Sequence, residues 1–550
     1  MTDFPCSRRE FLQRGPAALA STGALGVLHA GNWSRVAARE AVGKQPRQAV
    51  ACSRPEAAEA AREILEQGGN AMDAAVAALA VLCVIEPGMV SLGGYGGSLV
   101  YYQAKTGAVH AIDFDGRAPR RFNPATFSAA VSYHGYLALT TPGIVAGIEL
   151  ALQQFGSRPF KTLANRARQL AQDGFEVTPR IAASFRRLLK SIDPASRRAF
   201  FPNGVPGEGE SWSSADLARL IEQLSDERPQ SFYHGTIPST IVRQVQASGG
   251  ILAEDDFESF EALAVEPLHI KYREYDLYTP PLPSGGLTSL SILKTLEQFD
   301  LPGLEPWGAD YVELFAGASN LAWQERFKYF GDPEFVSTPV EKLLSEERAV
   351  ERAERIRTGI IAGSTQPDGT SHTVNIVVVD REQNTVSLTA THGADYGSHV
   401  AIGGLGLMLG HGMSRFSTTA GDPNYPAPRK RPQHNMSPLV VLKDGKPFAA
   451  LGLPGGRFIV TVTAQMAVSL LDFQATAKQI VTAPRLHTEG AEPILVTQSM
   501  DQEVVADLRQ RGRKVDVKPS LGSAANAIVI DPQTGVDAAA SQGPAGVLVF

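Results

Sequence analysis

The feature that most constrains this chain is a hairpin whose two strands alternate so strictly that only one pairing parity leaves each face chemically uniform. Residues 373–379 (Thr-Val-Asn-Ile-Val-Val-Val) and 385–391 (Thr-Val-Ser-Leu-Thr-Ala-Thr) flank the turn Asp380-Arg381-Glu382-Gln383-Asn384. With those five residues as the loop, Val374, Ile376 and Val378 oppose Ala390, Leu388 and Val386 on one face, while Thr373, Asn375 and Val377 oppose Thr391, Thr389 and Ser387 on the other. A slip of one residue would mix the two sets. The pattern therefore predicts Thr373 directly across from Thr391.

A threonine in that setting suits one kind of chemistry. Its hydroxyl can attack the carbonyl carbon of His372 and shift the acyl chain from nitrogen to oxygen, and water can then hydrolyse the ester. Thr373 would be left with a free α-amine of pKa about 7.7 to 8.0, a base placed on the nucleophile itself. Ordinary strand content is the competing explanation, because threonine is common in strands. Thr370, in Gly369-Thr370-Ser371-His372-Thr373, is a second candidate for the first residue of a cut chain. The register favours Thr373, since Thr370 would face Ala394.

Blocks spread along the chain resemble the γ-glutamyltranspeptidase family, whose small subunit begins with a catalytic threonine. They include the segment around Thr373 to Thr391, Glu63-Ile64-Leu65-Glu66-Gln67-Gly68-Gly69-Asn70-Ala71-Met72-Asp73, Pro283-Ser284-Gly285-Gly286 and Gly331-Asp332-Pro333. Met436-Ser437-Pro438, Gly452-Leu453-Pro454-Gly455-Gly456 and Ala483-Pro484-Arg485 continue the series in the same order. The resemblance implies an α/β (α+β) fold, a four-layer αββα sandwich of the N-terminal-nucleophile hydrolase type. It also implies a precursor cut between His372 and Thr373 into a large subunit, 31–372, and a small one, 373–550. The activity implied is that of a γ-glutamyltransferase or glutathione-hydrolase-like amidohydrolase acting on a small-molecule amide, with no metal and no organic cofactor.

Site residues carry over position by position. Thr373 is the expected nucleophile, Thr391 the hydroxyl that orients it, and Gly455 with Gly456 the oxyanion donors, where the lack of a Cβ admits close approach. Without the family likeness the glycine pair reads as a tight turn. Arg117 is the candidate grip on a substrate carboxylate if two residues are deleted after it; an ungapped match puts Asp115 there instead, and an ion pair is the plainer role for Arg117. His434 and Asn435 stand where the family has paired serines, so both are candidate substrate contacts. Gly393, Gly412 and Arg415 occupy positions that in the family hold the substrate's α-ammonium, and an arginine there repels a cation. The pocket is thus expected to take an acyl donor without a free α-amine, among which oxamate- and cephalosporin-type amides belong. A catalytically inactive, uncut relative that binds an amide or peptide is the reading from another class.

Composition enters mainly to exclude. A net charge of -6 over 550 residues gives no basic footprint for nucleic acid, and Lys430-Arg431 reads as a solvated loop. Hydrophobic content of 43% can fill a large core. Cys6 falls in the expected leader, and Cys52 and Cys83 in or beside apolar helical sequence, so buried thiols are expected rather than a disulfide framework. His392, His399 and His411 lack metal-ligand spacing. Ser7-Arg8-Arg9-Glu10-Phe11-Leu12 followed by a small apolar run resembles a twin-arginine signal over residues 1–30, implying a periplasmic or secreted protein. No segment reads as a membrane span.

The pattern elsewhere alternates helix and strand. Helices are expected over 55–67, 71–85, 142–155, 162–173 and 341–356, and strands over 99–103 and 108–114. The Pro-, Gly- and Ser-rich stretch 193–212 reads as a loop or lid, and 359–369 as a weakly structured approach to Thr373. Gly93-Gly94-Tyr95-Gly96-Gly97 has neither the lysine nor the spacing of a phosphate loop and reads as packing.

Overall fold

The computed structural model describes residues 47–359, 372–522, 524–531, 534–542 and 546–550. The expected leader and the segment 360–371, with Thr370, lie outside the described residues.

Two antiparallel sheets carry the molecule. The first has seven strands in the order Gly546–Val549, Ala49–Cys52, His372–Val379, Thr385–Gly393, Gly96–Gln103, Ala108–Asp113, Leu263–Val265. The second has six: Gly535–Ser541, Asn526–Asp531, Lys446–Gly452, Leu439–Lys443, Tyr275–Thr279, Leu268–Tyr272. Between them lies an apolar layer in which Ala51, Val100, Val377 and Val379 of the first sheet meet Val440, Ala450 and Ile528 of the second. Helices cover both outer faces. Pro55–Glu66 and Ala71–Ile85 pack with Val374, Ile376 and Val378, while Gly286–Leu296, Ala309–Tyr329 and Phe458–Leu471 pack with Leu277, Val441 and Leu451. This is the four-layer αββα sandwich.

The hairpin pairs as the alternation requires: Val379 faces Thr385, Ile376 faces Leu388, Asn375 faces Thr389 and Thr373 faces Thr391. Its turn is fastened to a helix. Helix Ala71–Ile85 is apolar around its whole circumference and wholly buried, so its exposed N–H groups need partners within the protein. Asn70 and Asp73 supply a capping box, and Asp380 of the hairpin turn accepts from Ala71 N at 2.9 Å. The helix before it, Pro55–Glu66, stops where Gly68 takes φ 78°.

Four expectations need correction. The stretch 193–212 contains helix Pro194–Phe200, because Asp193 caps Ala195 N and Ser196 N and Pro194 presets the first turn, and strand Ser211–Trp212. The region 162–173 is divided between helices Phe160–Leu163 and Asn165–Asp173, and 341–356 between Val340–Leu344 and Glu346–Arg357, where Ser345 caps Arg348 N. Lys430-Arg431 is buried rather than solvated: Lys430 Nζ donates to Pro423 O and Tyr425 O, and Arg431 bridges two buried aspartates. Cys52 and Cys83 are buried free thiols. Among the described residues no helix is long and apolar enough to cross a membrane.

Candidate active site

The edge of the hairpin brings two hydroxyls together. Thr373 Oγ1 lies 3.1 Å from Thr391 Oγ1, and both residues are 2% exposed. Gly393 N donates to Thr391 Oγ1 at 2.8 Å. A hydroxyl that accepts from a backbone N–H keeps its proton for another acceptor, and Thr373 Oγ1 is in reach. The pairing carries on past Thr373, with His372 opposite Gly393, so a β-bulge lies between Thr391 and Gly393. A bulge breaks the regular ladder where the chain bends, here across from the 372–373 bond.

Below that edge the polar face of the hairpin is fully bonded. Asn375 Nδ2 donates to Leu388 O at 3.0 Å and to Thr389 Oγ1 at 3.1 Å, and Asn375 Oδ1 accepts from Asn526 Nδ2 at 3.0 Å. Ser387 Oγ donates to Leu451 O in the second sheet. These bonds tie the two sheets together directly under Thr373 and hold its strand rigidly.

Gly455 and Gly456 follow strand Lys446–Gly452 and precede helix Phe458–Leu471, with φ 142° and 62°. Side chains rarely tolerate these angles, so glycine is required. Their N–H groups sit at the positive end of a 14-residue helix, which favours negative charge.

The expected substrate contacts divide. Asn435 lines a cavity of 420 Å³ together with Tyr133, Trp323, Arg326, Arg415 and Arg457, and its Oδ1 accepts from Arg326 Nη2 at 3.0 Å. His434 turns inward, 1% exposed, with Nε2 2.5 Å from Asp115 Oδ2 and Nδ1 accepting from Met436 N at 3.2 Å. Nδ1 is thus the unprotonated nitrogen, and burial pushes the ring's pKa down to about 3. Burial holds the Asp115 carboxyl well above the ordinary carboxylate range. Arg117 does not line the cavity: its guanidinium forks onto Glu334 at 2.6 and 2.9 Å and donates to Arg429 O at 3.1 Å.

Asp115 lies one strand from the threonine pair, since Gly96 faces Thr391 and a Cβ on Gly96 would fall 2.6 Å from Asp115 Oδ1. Asp113, Asp115 and His434 bring three possible metal-donor atoms within 4.8 Å of one another. A cation of the protein already serves this group: Arg431 reaches Asp113 Oδ2 at 2.5 Å and Asp332 Oδ1 at 2.6 Å. Asp113 has its other oxygen on Asp115 N, at 2.9 Å. Sequence reasoning missed this cluster because 318 residues separate Arg431 from Asp113. It also missed Arg326, although Trp323, Arg326, Phe327 and Phe330 follow the spacing of one helix face and all line the cavity.

The comparisons with known proteins agree with this geometry. Residues 57–547 match the model of the family described as gamma-glutamyltranspeptidase. The chain belongs to the γ-glutamyltranspeptidase family. It is 32% identical over 497 residues to the glutathione hydrolase proenzyme of Escherichia coli (strain K12), covering 85% of each chain. It is 30% identical over 507 residues to the acylase ACY 1 proenzyme of Pseudomonas sp. (strain SE83), covering 88% of this chain and 90% of that one. Among solved structures, a cephalosporin acylase from Bacillus halodurans superposes with a TM-score of 0.84 at 26% identity, over 95% of this chain and 99% of that one. As a γ-glutamyltranspeptidase-family member with this fold, the protein is an amidohydrolase of the N-terminal-nucleophile type.

Proposed function

We propose that this family member is a self-processing acyl-transfer enzyme whose small chain starts at Thr373. The observation that carries this reading is the 3.1 Å threonine pair at a bulged sheet edge. In processing, Thr373 Oγ bonds to the His372 carbonyl carbon and the C–N bond breaks, with the hydroxyl proton passing to the departing nitrogen. Water then cleaves the ester, leaving a carboxylate on residue 372 and a free amine on Thr373. In turnover the α-amine takes the proton of Thr373 Oγ as that oxygen attacks an amide carbonyl, and returns it to the leaving amine. The Thr391 hydroxyl orients the nucleophile, and the Gly455 and Gly456 N–H groups receive the oxyanion. Water releases the acyl group as an acid; an amine competing with water receives it instead.

The donor is a γ-glutamyl or related carboxylated amide. The names of the relatives support this range, since a glutathione hydrolase proenzyme and an acylase proenzyme match at similar identity. Glycine at 393 and 412 and arginine at 415 favour the acylase side of it. Export through residues 1–30 and division into chains 31–372 and 373–550 complete the proposal. Purified protein should give two bands on a denaturing gel, with threonine as the first residue of the smaller one. Thr373→Ala should stay as one band and hydrolyse no amide. A single band from the unaltered protein, or a new terminus elsewhere, refutes the reading and favours an inactive binding protein.

A further inference from the structure

The 420 Å³ cavity is polar in one sense only. Three arginines line it, Arg326, Arg415 and Arg457, against one lining carboxylate, Asp422, whose Oδ1 accepts from Asn424 N at 2.7 Å. Arg457 is balanced from behind by buried Glu489, at 2.6 Å. Arg326 and Arg415 have no carboxylate within 4.0 Å among the described residues. Arg326 is 2% exposed and donates only to neutral oxygens, those of His434, Asn435 and Thr288. Arg415 donates to Ser414 Oγ and, at 3.3 Å, to His411 Nε2. His411 Nδ1 lies 2.9 Å from Tyr133 O and carries the ring proton there, so Nε2 is free to accept and the ring is neutral. A guanidinium as buried as that of Arg326, with half-buried Arg415 and Arg457 on the same cavity, calls for an anion, and their planar forks fit a carboxylate.

Two chain segments link the cavity lining to the expected oxyanion glycines and to the strand end beyond Thr391. Arg457 directly follows Gly455 and Gly456. In the other segment, a Cβ on Gly393, two residues beyond Thr391, would fall 2.5 Å from His411 Nε2, the atom that receives Arg415. The same contact shows that no side chain fits at 393. A Cβ at Gly412 would likewise fall 2.2 Å from Thr140 Oγ1. These two positions therefore offer a substrate ammonium no acceptor side chain, and Arg415 repels it. Trp323 and Phe327 line the cavity beside the arginines, with the Arg326 guanidinium 5.2 Å from the Trp323 ring and that of Arg457 5.9 Å from the Phe327 ring, and they offer apolar surface to methylene groups.

Taking the acyl-transfer reading as given, we infer that the acyl group this site accepts is the half-amide of a dicarboxylic acid. Its free carboxylate docks on Arg415 in the field of Arg326 and Arg457, and no amine stands beside that carboxylate. The position of the carboxylate, not the identity of the leaving amine, then sets specificity.

Three p-nitroanilides differing by one group each test this with the processed protein: glutaryl, γ-glutamyl (glutaryl plus an α-ammonium) and butyryl (glutaryl without its carboxylate). A charged hydrogen bond in a partly buried site is worth about 10- to 100-fold. Glutaryl turnover should accordingly exceed both others in kcat/KM by about 30-fold. Arg415→Ala should collapse the glutaryl-to-butyryl ratio toward one, with Arg415→Lys in between, and two bands on a gel certify that each variant has folded. Should the arginine variants remain uncut, the comparison within the unaltered enzyme decides alone. Processed protein that cleaves butyryl or γ-glutamyl anilide as well as glutaryl, or cleaves none of the three, overturns the inference. Unprocessed wild-type protein overturns instead the catalytic reading on which it rests.

Discussion

Replacing Thr391 by valine keeps the shape of a fully buried side chain and removes one oxygen. That oxygen lies 3.1 Å from Thr373 Oγ1 and accepts from Gly393 N at 2.8 Å. Two costs follow, and they are separable. The reacting Thr373 oxygen loses a donor; a hydrogen bond to a group that carries charge in the transition state is worth about 1.5 to 3 kcal/mol, hence about 10- to 150-fold in rate. The Gly393 N–H loses that acceptor in a buried place, which costs about 1 to 3 kcal/mol of stability. The second cost shifts the unfolding midpoint but not the rate of scission in folded protein. A time course of freshly folded precursor on a denaturing gel reads the first, and a denaturant melt reads the second. Thr391→Val should process 10- to 150-fold more slowly by this argument, and Thr391→Ser, which keeps the hydroxyl, within about threefold of the parent. If valine processes at the parent rate, or serine is as slow as valine, the hydroxyl has no part in orienting Thr373.

Three further outcomes follow from the charges around the site. Arg431→Met leaves Asp113 and Asp332 buried without their cation, and the fold should lose about 3 to 5 kcal/mol, seen as a lower guanidinium midpoint; a loss under about 1 kcal/mol would mean the aspartates are neutral without it. His434 has its pKa moved from 6.5 to about 3 by burial, so the unfolded chain binds the extra proton first and stability falls as pH drops from 6.5 toward 3. At pH 5 this penalty reaches about 2 kcal/mol relative to pH 7, and comparing melts of His434→Gln with the parent isolates it from Asp113, which burial raises to about 6 and which works in the opposite direction. Arg117→Ala breaks a pair with Glu334, itself 46% exposed, away from the cavity lining; kcat/KM should change less than about threefold, and a tenfold rise in KM would put Arg117 back in the pocket.

Much of this was legible in the chain because the relevant physics is local. The hairpin register follows from the two-residue period of a strand, and helix Ala71–Ile85 from its apolar run and its Asn70 cap; the register and the helix bounds are as expected, while the strands run on past Thr373 and Thr391 to His372 and Gly393. The loop expected over 193–212 failed for an equally local reason: its composition is turn-like, but Asp193-Pro194 is a helix start. Lys430-Arg431 failed for a different one. A charge pair on a loop is solvated by default, and only the arrival of Asp113 and Asp332 from distant segments makes burial tolerable.

The sequence alone determined which two threonines face each other, where the glycine pair must turn and which face of each strand is apolar, because backbone sterics and side-chain periodicity act over a few residues. The tertiary structure decided which charges meet. Arg117 went to Glu334, Arg431 to two aspartates, and Arg326, Arg415 and Arg457 to one cavity, from positions up to 131 residues apart. Coulomb energies depend on distance and burial in space, and neither quantity is written in the order of the residues.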